Sequence, residues 1–168
     1  ETDGFRFDMG PSWYLMPDVF ERFFRLMGTS ADEQLELTRL SPSYRVFFGP
    51  DDIVDVPADL DATMALFDTF EKGGAEKLKA YLDRAEYQYD IAMNEFVYRE
   101  YSKLTDFFSR RMLVEGTKLS VFKSLDKHVR SYFDSDRARK VLEFSMVFLG
   151  GAPSNTPALY SIMSHVDL

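Results

Sequence analysis

The sequence predicts an α+β fold that is mainly helical, with a small antiparallel β-sheet patch. Up to about residue 57, apolar and aromatic residues alternate with polar ones in short runs, which is typical of strands. From residue 58 the apolar positions recur every three or four residues, which is typical of helices. No linker or repeat separates the two parts. We therefore predict a single domain over 1–168, with a strand-rich part at about 1–57 and a helical part at about 58–168.

The first elements are a strand and a helix. Residues 4–8 alternate as a strand would. A helix is expected to begin near Pro17, because proline at the first turn has no N–H that needs a partner. Its apolar positions continue to Met27, and Gly28 is placed to end it.

A hairpin is predicted in the middle of the strand-rich part. Residues 44–48 are aromatic and β-branched, residues 53–56 alternate, and the turn sequence 49–52 lies between them. Residues 35–38 also alternate and predict a third strand.

About five helices are predicted after residue 58. The first is expected to stop at the glycine pair 73–74, and the last to begin with Thr156 as N-cap and Pro157 at the first helical position. Asp134 or Ser135 is suited to cap the helix that precedes this last one. The predicted helices cover 58 to the glycine pair, 75–101, 117–132, 135–149, and 157 onwards.

Composition narrows the classes of function. The formal net charge is −8, and no dense cluster of Lys and Arg is present, so we expect no nucleic-acid partner. The absence of cysteine excludes disulfides and thiolate zinc sites and fits a cytoplasmic location. No apolar run approaches the roughly 18 residues of a membrane-spanning helix.

Large apolar side chains are abundant. The chain has 16 Phe, 9 Tyr and 8 Met, which suit a core but equally a channel for an apolar ligand. Residues 107–113 place two phenylalanines next to two arginines, a pairing found in helices at membrane surfaces and also in buried patches. Both alternatives stay open at this point.

Residues that usually carry chemistry are few. His128 and His165 are far apart and have no zinc-ligand spacing, so no metal site is predicted. Ser154, His165 and Asp167 contain the residue types of a hydrolytic triad but lack its sequence context. No GxGxxG or Walker motif is present, so the chain has no dinucleotide cradle of its own. No catalytic residue is named.

Four stretches, in order, carry a resemblance to a known family. Residues 4–12 (GFRFDMGPS) resemble the segment that follows the dinucleotide-binding fold in FAD-dependent carotenoid desaturases of the phytoene desaturase type. Residues 42–47 resemble that family's P-x-Y-R strand, residues 139–153 its helix and G-G-x-P turn, and residues 158–163 the helix after that turn.

The resemblance implies a larger flavoprotein oxidoreductase of carotenoid biosynthesis, from which this chain would be an excised substrate-binding portion. The cut-looking ends agree with that expectation. Asp8, Gly10, Pro11 and Ser12 match the flavin-adjacent segment and are the expected cofactor-binding residues in the full-length protein only.

The resemblance also implies partners. They are an apolar polyene such as phytoene, the missing FAD-binding domain of the same parent chain, and a peripheral membrane surface that supplies the substrate. The chain alone is expected to bind no FAD and to be inactive. The alternative is a non-enzymatic helical domain that binds an apolar ligand or a protein partner.

Overall fold

The computed structural model describes residues 3–5, 14–97 and 122–167, without the side chains of 94–96 and 167. These residues form an α+β structure that is mainly helical with a small antiparallel sheet, as predicted. They divide into two compact units, Glu1–Thr38 and Arg39–Leu168. Residues 6–8 of the predicted first strand lie outside the described residues.

The smaller unit contains helices α1 (Pro17–Leu26) and α2 (Ala31–Gln34). The predicted end of α1 is confirmed. Gly28 has a φ of +81° and donates its N–H to the carbonyl of Arg25, while the N–H of Thr29 reaches Phe24, as in a Schellman motif. Glycine suits this position because it adopts positive φ without steric cost.

Helix α1 has an apolar face that is exposed. Phe20, Phe23, Leu26 and Met27 are all exposed, and no residue of α1 is buried. The regular spacing therefore predicted the helix correctly. It carried no information on whether the apolar face would be covered.

The larger unit begins with the predicted hairpin. Strands β1 (Tyr44–Gly49) and β2 (Asp52–Val56) pair antiparallel, and Val54 and Val56 face the core. The prediction of a third strand at residues 35–38 is wrong, because these residues have no strand structure. Alternation alone does not make a strand, because a strand also needs partners for its backbone hydrogen-bonding groups.

The helical part follows a compact order. After the hairpin come α3 (Leu60–Phe70), α4 (Gly74–Ile91) with a π-helical continuation (Ala92–Val97), α5 (Leu125–Arg130), α6 (Asp136–Glu143) with a 3-10 continuation (Phe144–Leu149), a 3-10 turn (Ala158–Ser161) and α7 (Ile162–Asp167). Asp59, Ser124 and Ser135 cap α3, α5 and α6 by accepting a backbone N–H. Ser135 is thus the cap of α6, not Asp134. Among the helices that the structure describes, none is long and apolar enough to cross a bilayer.

Two helix boundaries differ from the prediction. Helix α3 ends at Phe70, and Gly73, with a φ of +73°, is the N-cap of α4. A Cβ on Gly74 would lie 2.0 Å from the carbonyl oxygen of Phe67, so Gly74 permits the close approach of two helices. The glycine pair therefore starts α4 where it was expected to stop α3.

Thr156 does not cap the last helix. Its hydroxyl donates to the carbonyl of Ala152 at 2.9 Å, and the 3-10 turn starts after Pro157. The predicted helix at 117–132 is shorter than expected: residues 117–121 lie outside the described residues, 122–124 and 131–132 are not helical, and only α5 within this range is a helix. Residues 98–101 of the predicted long helix also lie outside the described residues.

Aromatic rings form the centre of the core. The ring of Phe133 lies 5.6 Å from Phe67 and 6.3 Å from Tyr81, and Tyr81 meets Tyr132 edge-on at 5.5 Å. All three of Phe67, Tyr81 and Phe133 are almost completely buried. Burial of each such side chain stabilises the fold by about 1.5–3 kcal/mol.

Glu71 ties two distant turns together. One carboxylate oxygen accepts from Lys77, and the other accepts the backbone N–H groups of Asp134 and Ser135. Burial raises the pKa of Glu71, but these hydrogen bonds outweigh burial and leave its pKa below the usual value.

We expect Glu71→Gln to lower the free energy of unfolding by about 1–3 kcal/mol at neutral pH, because it removes a charge-assisted bond. A lowered pKa stabilises the fold above the unfolded-state pKa, and this stabilisation is lost as pH falls through the folded-state pKa. The difference between the variant and the wild-type chain should therefore shrink in acid, measured by urea unfolding. Glu86→Gln, at an exposed position, is the control and should change little.

His128 is a second acid-sensitive group. It is buried beside the rings of Tyr81 and Tyr132, and its Nε2 has no hydrogen-bond partner among the described residues. Burial, followed by the charges of Lys123 and Arg84, lowers its pKa to about 4.

Because the unfolded chain takes up this proton near pH 6.5 and the folded chain does not, stability should fall as pH drops from about 6.5 to about 4. The slope from this group is at most about 1.4 kcal/mol per pH unit. His128→Gln should remove that slope in unfolding measurements at pH 7, 6 and 5. His165→Gln leaves His128 intact and should retain it; equal slopes in both variants would contradict the assignment.

Candidate functional site

The residues predicted to lie beside a flavin are not described by the structure. Asp8, Gly10, Pro11 and Ser12 lie outside the described residues, as does the apolar and basic segment 107–113. Their predicted roles stay predictions.

The described residues offer no cradle for a dinucleotide phosphate. Among them, the glycine pair 73–74 is the one that opens an α-helix, and it follows a helix where a cradle would follow a strand. Gly74 is also closed off by the backbone of Phe67. These residues therefore do not fit FAD.

The other chemistry-bearing side chains that the structure describes do not assemble into a site, and the side chain of Asp167 lies outside them. The ring of His165 packs against Tyr89 at 5.4 Å, and no hydrogen bond joins it to Ser154. Within the described ranges, no group of three or more His, Asp or Glu side chains is arranged to hold a metal ion.

One surface feature of the described residues is a run of three exposed apolar residues at the end of the 3-10 continuation of α6. Val147 is 64% exposed, Phe148 49% and Leu149 46%, and they are called the apolar run below. Ser145 and Met146, just before them, are buried. The segment is thus anchored on one side and apolar on its free side. Consecutive exposed apolar residues of this kind indicate an interaction site.

A row of aromatic rings extends the apolar run. Phe148 lies 6.1 Å from Phe144, and Phe144 stacks on Tyr44 at 5.1 Å. Tyr44 is the first residue of β1, so the hairpin supplies one end of the row. Since Phe144 and Tyr44 are half-buried, the row passes from the core to the surface.

A tight glycine turn holds the apolar run in place. Gly150, with a φ of +62°, donates to the carbonyl of Val147, and Gly151 donates to Met146. A Cβ on Gly151 would lie 2.8 Å from the hydroxyl oxygen of Thr156. The hydroxyl is already bonded to Ala152, so it has little freedom to move.

The same turn is bonded to the start of α5. The N–H of Leu125 donates to Thr156 at 2.8 Å, and the N–H of Asp126 donates to Pro153 at 3.0 Å. The N–H of Ala158 donates to Lys123 at 2.7 Å. These bonds hold the segment that follows the glycine turn against the start of α5. They give a structural reason for the sequence pattern at 150–153.

A buried polar seam joins α4 to the C-terminal segment. Ser161 donates to the amide oxygen of Gln88 at 2.9 Å, and the Tyr81 hydroxyl lies 3.4 Å from that of Ser164. Burial raises the pKa of Tyr81. Since all four side chains are buried, the seam holds α4 against the C-terminal segment.

Sequence reasoning missed the apolar run. The segment 135–149 is predicted as one helix, and that prediction does not say which of its apolar residues are exposed. One signal was present: Met146, Val147, Phe148 and Leu149 are four consecutive apolar residues, and one helix side cannot bury them all.

Comparison with known proteins identifies the class. No family model matches the chain. Curated proteins do match it from end to end, and they are carotenoid desaturases, which confirms the resemblance to the phytoene desaturase family. The chain is similar over its whole length to a segment of these desaturases, and it spans about a third of the length of the curated relatives it matches.

Two relatives illustrate the match. A carotenoid 3,4-desaturase from Haloarcula japonica is 45% identical over 168 residues, which cover 99% of this chain and 34% of the relative. A 4,4'-diapophytoene desaturase (4,4'-diaponeurosporene-forming) from Staphylococcus aureus is 34% identical, covering 100% of this chain and 34% of the relative.

We expect Gly151→Ala to destabilise the larger unit by about 1–3 kcal/mol, because the new methyl group would overlap the Thr156 hydroxyl. The double variant Gly151→Ala/Thr156→Ala should recover part of that loss, since it removes the overlapping oxygen. A double-mutant cycle of unfolding free energies measures this coupling. Strictly additive effects would show that the two residues do not restrict each other.

Proposed function

We propose that this chain is the substrate-binding portion of an FAD-dependent desaturase that acts on an apolar polyene, such as phytoene or a related carotenoid precursor. The observation that carries the proposal is end-to-end homology to proteins named as carotenoid desaturases. In this proposal residues 1–168 act as one substrate-binding domain.

The apolar run is the surface we assign to the polyene. A long hydrocarbon offers no hydrogen bonds, so its recognition depends on apolar contact area and on rings that accept flat, extended chains. Val147, Phe148 and Leu149 provide such area next to the ring row. The rigid glycine turn supports the proposal, because a pre-formed surface loses little entropy on binding.

We propose that FAD is held mainly by the rest of the full-length protein. Asp8, Gly10, Pro11 and Ser12 are proposed to lie beside it there, as the sequence pattern implies. The chain alone is proposed to bind no FAD and to have no desaturase activity. A fluorescence titration that gives tight, stoichiometric FAD binding would contradict this.

A peripheral membrane contact is a further part of the proposal, since a long polyene partitions into bilayers. It rests on the sequence at 107–113, where aromatic and basic residues adjoin. Co-sedimentation with phosphatidylcholine vesicles that contain an anionic lipid tests it, and the doubly substituted Arg110→Gln/Arg111→Gln chain is expected to sediment less.

The central test is a chimera in which this chain replaces the matching third of the Haloarcula japonica carotenoid 3,4-desaturase. The chimera should desaturate a polyene, which chromatography detects as a shift in the absorbance of the product. Phe148→Ser in the chimera should raise KM for the polyene about tenfold or more, because the side chain would lose its apolar contact with substrate.

Phe122→Ser is the matched control, since Phe122 is 92% exposed and lies outside the apolar run. It should leave KM unchanged. A folded chimera that binds FAD and lacks all activity would contradict the substrate-binding role. Equal KM values for the two variants would show that the polyene does not bind at the apolar run.

The second candidate is a non-enzymatic helical domain that uses an apolar face to bind a ligand or protein. The exposed face of α1 favours it, with Phe20, Phe23 and Met27 on one side of the helix. This candidate predicts apolar binding by the chain alone and no activity in any chimera.

A further inference from the structure

The outer face of the β-hairpin is a second exposed surface, distinct from the apolar run. It consists of Arg45, Phe47, Ile53 and Asp55, and is called the outer face below. We propose that the outer face is an interface, and that its occupant is another part of the same longer desaturase. The outer face would then be the surface that contacts the partner domain implied by the sequence.

The register places two apolar side chains opposite each other on this face. Phe47 pairs with Ile53 across the two strands, and they are 67% and 46% exposed. Val54 and Val56 point to the opposite face and are buried in the core. In a hairpin with one covered face, polar residues are expected at the outward positions. An aromatic residue and an isoleucine at those positions indicate a cover that the described residues do not supply.

A charged pair borders the apolar pair. The guanidinium of Arg45 bonds both carboxylate oxygens of Asp55, and the two residues are cross-strand neighbours on the outer face. The pair raises the pKa of Arg45 and lowers that of Asp55 through their mutual hydrogen bonds. An apolar centre with a polar margin is the usual composition of a protein–protein interface.

The length of the relatives argues for an occupant within the same protein. About two thirds of each matched desaturase lies outside the segment that this chain represents. The balanced charges of Arg45 and Asp55 do not favour an anionic bilayer on this face.

This inference rests on homology to a longer protein and not on the identity of the substrate. Activity and protection are therefore measured separately. A chimera that is inactive with a protected outer face would contradict the proposed function alone, and an active chimera with an unprotected outer face would contradict this inference alone.

The test uses thiol labelling, because the chain has no cysteine. Phe47→Cys is made in the isolated chain and in the chimera with the Haloarcula japonica protein, and maleimide labelling of the peptide that contains position 47 is followed by mass spectrometry. Asp83→Cys, at an exposed position on α4, is the control. Circular dichroism confirms that each protein is folded.

We expect position 47 to label at least about tenfold more slowly in the chimera than in the isolated chain, while position 83 labels at the same rate in both. Equal rates at position 47 would overturn the inference. Protection that already occurs in the isolated chain and rises with its concentration would also overturn it, and would assign the outer face to a second copy.

A second arm applies if the chimera does not fold. The remaining segments of the Haloarcula japonica protein are then supplied as separate polypeptides to the isolated chain that carries Ile53→Cys. Slower labelling of position 53 on their addition supports the inference. An unchanged rate contradicts it, since a surface that needs cover should bind its occupant in trans.

Discussion

The rings of Phe67, Tyr81 and Phe133 meet at the centre of the larger unit, and the positions of its other elements depend on that contact. Phe67 lies on α3 and Tyr81 on α4, whereas Phe133 lies in the loop that follows α5. The three rings therefore join parts of the chain that are far apart in sequence. This ring contact requires α3 and α4 to approach closely. The approach is possible because Gly74 has no Cβ that would clash with the backbone of Phe67. Glu71 adds a polar tie between the same two regions, so apolar burial and hydrogen bonding support one arrangement.

The core also determines which apolar residues are left outside. Helix α6 packs through Val141 and Leu142, and Met146 continues this buried side into the 3-10 segment. The tighter winding of a 3-10 segment and the glycine turn after it then direct the next three side chains outwards. In the hairpin, successive side chains alternate between two faces, so that one face packs in the core and the other is exposed. Two apolar surfaces result, and we assign them to different partners: a hydrocarbon substrate for the apolar run and protein for the outer face.

Sequence patterns located the secondary structure well where a local signal was strong. Helix α1 with its glycine end and the hairpin followed from spacing and turn chemistry, and of the two caps that the sequence left open, Asp134 and Ser135, the structure has Ser135. The third strand failed because alternation at 35–38 has meaning only beside a sheet. The Thr156 cap failed because its hydroxyl bonds to Ala152 within the preceding turn, a contact that local preferences do not reveal. For the site, the family pattern at 150–153 was recognised from sequence, and the structure adds that its glycines hold the apolar run.

By itself the sequence determined the resemblance to carotenoid desaturases, the fold class and the order of most elements, because periodicity, glycine and proline positions, and motif order are local properties of the chain. Only the tertiary structure decided that Phe148 and Phe47 are exposed while Phe67 and Phe133 are buried. All four are phenylalanines in apolar patterns, so the sequence pattern does not distinguish the exposed ones from the buried ones. Their difference arises from which side of each element faces the core, and that depends on contacts between residues far apart in the chain.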